Sequence, residues 1–233
     1  YSEILSKVRI GDITPGILNQ LNACVGRDVS RHGIQPTRLY PLNYQVDSLN
    51  EESLDDLLEE NEKLEFIEYS MKINQLEGKV VTKSYVLNSI KKNCIASESL
   101  QICIGAQVML LCNKISVGLA NGSRGVVTGF NDDSIPLVKF TSGITIPVEY
   151  HQWSCEHKSG ATTSVFEITQ IPLKVAFAIS IHKSQGVSLD CCEIDINECF
   201  CPGQAYVALS RVKSLDGLAL LSPCTKKNFI VDK

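Results

Sequence analysis

The chain lacks any apolar stretch near the roughly 18 residues that a membrane span requires, and no signal-peptide pattern opens it. It also lacks a basic balance. Its 22 Lys and Arg face 26 Asp and Glu, giving a formal net charge of −4 and a pI near 5.6. That excludes a broad cationic surface but leaves room for a narrow channel with a few phosphate contacts. A Gly-x-x-x-x-Gly-Lys-Ser/Thr phosphate loop is missing, as is any Asp-Glu dipeptide of the kind that holds magnesium on a strand. The chain by itself is therefore not expected to bind ATP tightly or to hydrolyse it. Internal repeats and low-complexity segments are absent too.

Cysteine is not scarce, with ten residues, yet Cys-x-x-Cys never occurs; the closest approaches are Cys191-Cys192 and Cys199-Phe-Cys201. With 44% hydrophobic residues over 233 positions, a sizeable core needs no covalent staples. Cys103 and Cys112 lie in apolar runs, where a thiol packs as a small hydrophobe. His151, Cys155 and His157 are the one group with zinc-ligand types. They fall in a stretch read as a loop, and reduced thiols in an intracellular compartment are the preferred reading, with no metal site assigned. The opening residue is Tyr1, which is expected of a segment of a longer protein.

Helical apolar spacing runs through residues 3–9 and 15–25, with Asp12-Ile-Thr-Pro15 as a start signal between them. Thr37–Leu42 reads as a strand. Asn43 opens a helix on which Val46, Leu49, Leu54, Leu57 and Leu58 recur. Its acidic residues from Glu51 to Glu62 are read as a solvated face. Residues 64–73 resemble a strand and 81–90 a short element of either type. From Leu100 onward, short apolar runs alternate with turns at Asn121-Gly122, Gly125, Asn131–Ser134 and Ser142-Gly143, which suggests a small antiparallel barrel. Residues 151–161 read as a polar loop and Thr163–Thr169 as a strand. After Leu173 the pattern is strand–loop–helix–strand, as in an α/β sheet.

Two tracts near the C-terminus could carry chemistry. Val175–Ile181 is apolar on both faces, as in a central parallel strand, and it runs into His182-Lys-Ser-Gln-Gly186. That loop offers a cation, several donors and a glycine where an open α/β sheet binds ligands. In the second tract, Pro202-Gly203 starts a helix whose Ala205, Ala208, Leu209 and Val212 face inward, with Arg211 at its end. A surface arginine is the default for such a residue; a functional one would neutralise charge on a transferring phosphoryl group.

Together these tracts resemble the last two motifs of superfamily-one helicases of the Pif type, related to RecD. Leu39-Tyr-Pro-Leu-Asn43, Gly105–Leu111, Leu119–Val127 and even Ile4–Gly11 are similar to further stretches of that family. The sequence departs from the pattern at Leu42, Ser180 and Val187-Ser188. The resemblance implies an α/β, RecA-like parallel-sheet domain over residues 1–112 and 173–233. It implies an inserted antiparallel barrel of the Src-homology type over 113–172. It implies the C-terminal half of an ATP-dependent, 5′-to-3′ DNA helicase, with ATP and Mg2+ held mainly by an upstream RecA-like domain. Arg211 would be the catalytic arginine finger, Gln185 and Gly186 would sense nucleotide, and His182, Lys183, Ser184 and Asn43 would contact nucleic acid. The expected partners are single-stranded DNA, duplex junctions and the upstream domain, with no membrane, in the nucleus or cytoplasm or with a viral or mitochondrial origin. The rival reading is a non-catalytic nucleic-acid- or protein-binding module derived from a helicase.

Overall fold

The structure, a computed structural model, describes residues 1–31, 33–78, 84–159 and 162–231. The chain opens with helices α1 (Ser2–Arg9) and α2 (Pro15–Asn22), strand β1 (Thr37–Tyr40) and the long helix α3 (Asn43–Glu60). Strands β2 (Ile67–Ser70) and β3 (Lys72–Glu77), helix α4 (Ser84–Asn93) and strands β4 (Ser99–Ile102) and β5 (Gln107–Leu110) follow. Next come β6 (Arg124–Phe130), β7 (Pro136–Phe140), β8 (Thr145–Pro147), β9 (His151–Ser159), β10 (Thr162–Gln170) and β11 (Leu173–Val175). The chain then returns through β12 (Ala178–Ser180), β13 (Cys192–Ile194), α5 (Gln204–Leu209) and β14 (Leu218–Leu220).

Four strands form a parallel sheet in the order β12-β1-β13-β14. Its buried residues Leu39, Ile179, Ile194 and Leu218 pack with Ile4, Val8, Ile17 and Leu21 from α1 and α2. The apolar spacing of the first two helices thus points into this core. Thr14 caps α2, its hydroxyl accepting from the Ile17 N–H at 3.4 Å, just before Pro15.

The turn-rich stretch forms a five-stranded antiparallel sheet, β11-β5-β6-β7-β8. Two of its strands, β5 and β11, come from outside residues 113–172. The hairpin β9-β10, inside that span, pairs instead with β3. Leu54, Leu57 and Leu58 of α3 cover the antiparallel sheet, while Glu51, Glu52, Asp55, Asp56, Glu59 and Glu60 face solvent. The acidic run is a solvated face because the helix period separates the two sets.

Two expectations need correction. Val175–Ile181, expected as one central parallel strand, is divided: Val175 ends β11 of the antiparallel sheet, and Ala178–Ser180 forms β12 at the edge of the parallel one. Residues 151–159 are a strand, not a loop: their polar character hides an alternation in which Trp153 and Cys155 are half-buried between exposed neighbours. Full-length pairing with β10 then overrides the polar composition. His151, Cys155 and His157 share one face of that strand. Among the described residues, no group of three or more His, Cys, Asp or Glu could hold a metal ion. The ambiguous segment 81–90 is helical from Ser84 onward, with Val86 and Ile90 buried one turn apart; positions 81–83 lie outside the described residues.

No disulfide links the ten cysteines. Burial raises the thiol pKa of Cys24, Cys103, Cys112, Cys191 and Cys192, so they pack in the neutral form. Among the described residues, no helix is long and apolar enough to cross a membrane.

One contact from α3 fixes the edge strand of the parallel sheet. Asn50 Nδ2 donates to the Ala178 carbonyl at 3.0 Å, and the Ala178 N–H donates to Asn50 Oδ1 at 2.9 Å. The amide stands in for a missing neighbouring strand beside β12. Asn50→Ala is expected to cost about 2 kcal/mol, since both backbone groups lose a partner. Urea unfolding measures it; a loss below about 0.5 kcal/mol would mean that water replaces the amide fully.

Candidate functional site

Strand β12 ends at Ser180, beside Tyr40 at the end of β1, and the Ile181 N–H donates to the Tyr40 carbonyl at 2.8 Å. The next residues coil at the C-terminal edge of the parallel sheet. Ser184 N–H donates to Ser180 O at 2.9 Å, Gln185 N–H to His182 O at 3.2 Å and Val187 N–H to Ser184 O at 3.0 Å. His182, Lys183, Gln185 and Gly186 are exposed on this turn. Gly186 has φ +79, and a Cβ there would meet nothing within 4 Å. The glycine therefore serves the left-handed backbone of the turn and not a close approach.

Ser184 differs from its neighbours. It is fully buried, and its hydroxyl donates to the Ile181 carbonyl at 2.6 Å. Expected to touch a nucleic-acid backbone, it instead holds the turn together from inside, because a short polar side chain at this position finds its nearest acceptor in the chain itself. Asn43 is exposed at the start of α3, just past the end of β1, and so lies at the same sheet edge.

Arg211 comes two residues after α5 and folds back onto the turn. Its Nη1 donates to Ser184 O at 2.9 Å and to Val187 O at 3.2 Å; Nε donates to Val207 O at 2.9 Å and Nη2 to Ser210 Oγ at 2.7 Å. Its backbone is bound as well, the Leu189 N–H donating to Arg211 O at 2.8 Å. Every partner of the guanidinium is a carbonyl or hydroxyl, and among the described residues it forms no ion pair. The side chain is half-buried and keeps its whole charge at the rim. The structure thus brings Arg211 and residues 182–186 into direct contact.

Sequence reasoning missed the hollow beside this turn. A cavity of about 660 Å³ lies between Met109, Leu111 and Asn121 on one wall and Ile179, Lys183 and Val187 on the other. Lys91 and Lys92, in the last turn of α4, and Lys174 of β11 also line it. Lys91 pairs with Glu98, whereas Lys174 and Lys183 have no side-chain partner among the described residues. Burial, then the charge of Lys183, lowers the Lys174 pKa, with Asp47 opposing. A desolvated ammonium facing a second cation is a place where an anion is stabilising. The signal was available: Lys174 is the single charge in the run Ile171–Ile181.

Residues 86–130 match the family described as "DNA helicase Pif1, 2B domain". The human ATP-dependent DNA helicase PIF1 is 37% identical over 224 residues, covering 95% of this chain and 32% of the relative. A crystal structure of Pif1 from Bacteroides sp in complex with ADP-AlF4 superposes with a TM-score of 0.78 at 29% identity, over 99% of this chain and 50% of that one. A structure of Bacteroides Pif1 bound to ssDNA gives 0.62 at 28% identity, over 99% of this chain and 50% of that one. The chain spans about a third of the length of curated relatives such as the human protein.

A parallel sheet with a polar turn and an arginine at its C-terminal edge, matched to these structures, makes this an α/β domain of the RecA-like class. More particularly, the chain belongs to the Pif1-type helicases and carries their C-terminal part.

Proposed function

We propose that this chain is the C-terminal half of an ATP-dependent DNA helicase moving 5′ to 3′ on single strands, and that it completes an ATP site held mainly by an upstream RecA-like domain. The observation that carries the reading is the bond from Arg211 to the Ser184 and Val187 carbonyls. It joins the one arginine of the second tract to the one cationic turn of the first.

Arg211 supplies a positive charge that can leave carbonyl partners without breaking an ion pair, as a finger toward a transferring phosphoryl group must. Gln185 and Gly186 present an amide and an open backbone at the same rim, suited to nucleotide sensing. The turn carries no carboxylate, so Mg2+ falls to the upstream domain. Lys183, His182 and Asn43, with Lys174 below them, face a strand of DNA; Ser184 acts by shaping the turn. The division into a core unit (1–112 and 173–233) and an inserted barrel (113–172) is kept as a proposal, with β5 and β11 shared between them. Single strands and duplex junctions are the proposed partners.

The test is strand displacement by the natural protein that contains this chain, on duplexes with a 5′ or a 3′ tail. ATP-dependent displacement from the 5′-tailed duplex alone is the expected result. DNA binding without ATP turnover would replace the motor with a passive binding module.

A further inference from the structure

Arg124 opens β6, yet its side chain leaves the antiparallel sheet and is 2% exposed. Nη1 donates to the Gln35 carbonyl at 2.9 Å and to Thr37 Oγ1 at 2.8 Å, while Nη2 reaches Cys191 Sγ at 2.7 Å. Thr37 is the first residue of β1, and Cys191 immediately precedes β13. A single guanidinium therefore grips the N-terminal ends of two adjacent parallel strands. Thr37 continues the chain of bonds, its hydroxyl donating to the Ala176 carbonyl at 2.9 Å between β11 and β12. Beside it, the Thr141 N–H donates to Arg124 O at 2.9 Å, and the Thr141 hydroxyl donates to Asp190 Oδ2 at 2.7 Å.

Among the described residues Arg124 forms no ion pair, and its Nε is buried without an acceptor. A buried cation lacking a counter-ion is unfavourable, and an apolar side chain of similar volume is often neutral or better for stability. What only the guanidinium supplies is a rigid planar fork with fixed directions.

Two of the cavity's walls belong to different sheets, and residues of α4 and the segment after it line the rest. Met109 and Lys174 sit on β5 and β11; Ile179 is on β12 and Lys183 and Val187 on the turn after it. Besides the chain link from β11 to β12, these two walls meet two residues from Arg124: a Cβ on Gly122 would lie 2.4 Å from Val187 Cγ1. Gly122 N–H donates to Leu110 O and Leu110 N–H to Ser123 O, both at 2.8 Å, so the segment before Arg124 is bound directly to β5.

We propose that Arg124 is a positioning residue whose fork fixes the angle between the parallel and antiparallel sheets, and with it the width of the lysine-lined cavity. It touches neither DNA nor nucleotide and acts through Gly122, Val187, Lys174 and Lys183. The inference rests on the reading of that cavity as a single-strand groove.

Arg124→Met and Arg124→Lys test it, through thermal unfolding, amide hydrogen exchange and binding of a labelled oligothymidylate. Arg124→Met is expected to change the unfolding temperature little, because removing a desolvated cation offsets the hydrogen bonds lost at Gln35 and Thr37. Exchange in 107–123 and 178–189 should rise about tenfold, while α1 and α2 stay unchanged. Oligonucleotide affinity should fall about tenfold with it. Arg124→Lys should not rescue either quantity, because one ammonium cannot hold three acceptors in that geometry. Rescue by lysine, or parent-like exchange in Arg124→Met, would overturn the proposal. Thr141→Val, which removes the neighbouring tie and leaves the cation in place, should shift exchange in the same regions by a smaller factor; it decides the matter if Arg124→Met does not fold, and parent-like exchange there counts against the idea. A parent protein that ignores the oligonucleotide would end the groove reading, while the exchange arm still judges the positioning role.

Discussion

Arg211→Ala is expected to lower DNA-stimulated ATP turnover by about 10³-fold or more in the natural protein, with single-strand affinity held within about threefold. The asymmetry follows from where the side chain stands. The guanidinium is held by carbonyls of residues 184, 187 and 207 and a hydroxyl at 210, with no ion pair among the described residues. Its loss loosens the turn slightly but removes the positive charge that reaches the turn from the exit of α5. Arg211→Lys separates charge from geometry: an ammonium keeps the charge but cannot reach both turn carbonyls while also bonding Val207. Turnover restored by lysine would indicate simple charge neutralisation. Turnover unchanged in Arg211→Ala would remove the finger assignment, and a parallel collapse of turnover and DNA affinity would make Arg211 a scaffold for the turn alone.

The second large effect is expected on DNA binding. Lys174→Met together with Lys183→Ala should weaken single-strand affinity by at least tenfold near 0.1 M salt. It should also flatten the salt dependence by up to about 1.4 in the logarithmic slope, roughly 0.7 for each lost phosphate contact. The two lysines differ in kind. Lys183 is exposed and acts through charge, whereas Lys174 is half-buried with its pKa lowered, so an anion in the cavity relieves an existing strain. Lys174→Met alone should therefore also raise stability slightly, measured by urea unfolding, because it removes a desolvated cation while keeping the stem's apolar contacts. An unaltered salt slope in the double variant would show that DNA does not enter this hollow.

Much of the site was legible before any coordinates. The apolar run before His182–Gly186 announces a buried strand ending in an edge turn, although only Ala178–Ser180 joins the parallel sheet, as its edge strand, while Val175 ends β11 of the antiparallel one. Arg211 was legible as the one cation closing an inward-facing helix. Ser184 was misread because a polar residue in a polar loop gives no sign of which way it faces; the coil of the turn sends it inward to Ile181. Strand β9 was misread because its pairing partner, β10, supplies the apolar context that its own composition lacks.

The sequence alone determined the elements that repeat at a helical or alternating period, the location of the charged turn and the absence of a phosphate loop, because these depend on neighbours within a few residues. Only the tertiary structure decided that Arg211 docks on Ser184 and Val187, that Lys174 and Lys183 share a hollow, and that Arg124 crosses between sheets to Thr37 and Cys191. Those partners are between 24 and 87 residues apart where bonded, a separation at which local spacing carries no information and the packing of two sheets sets the distance.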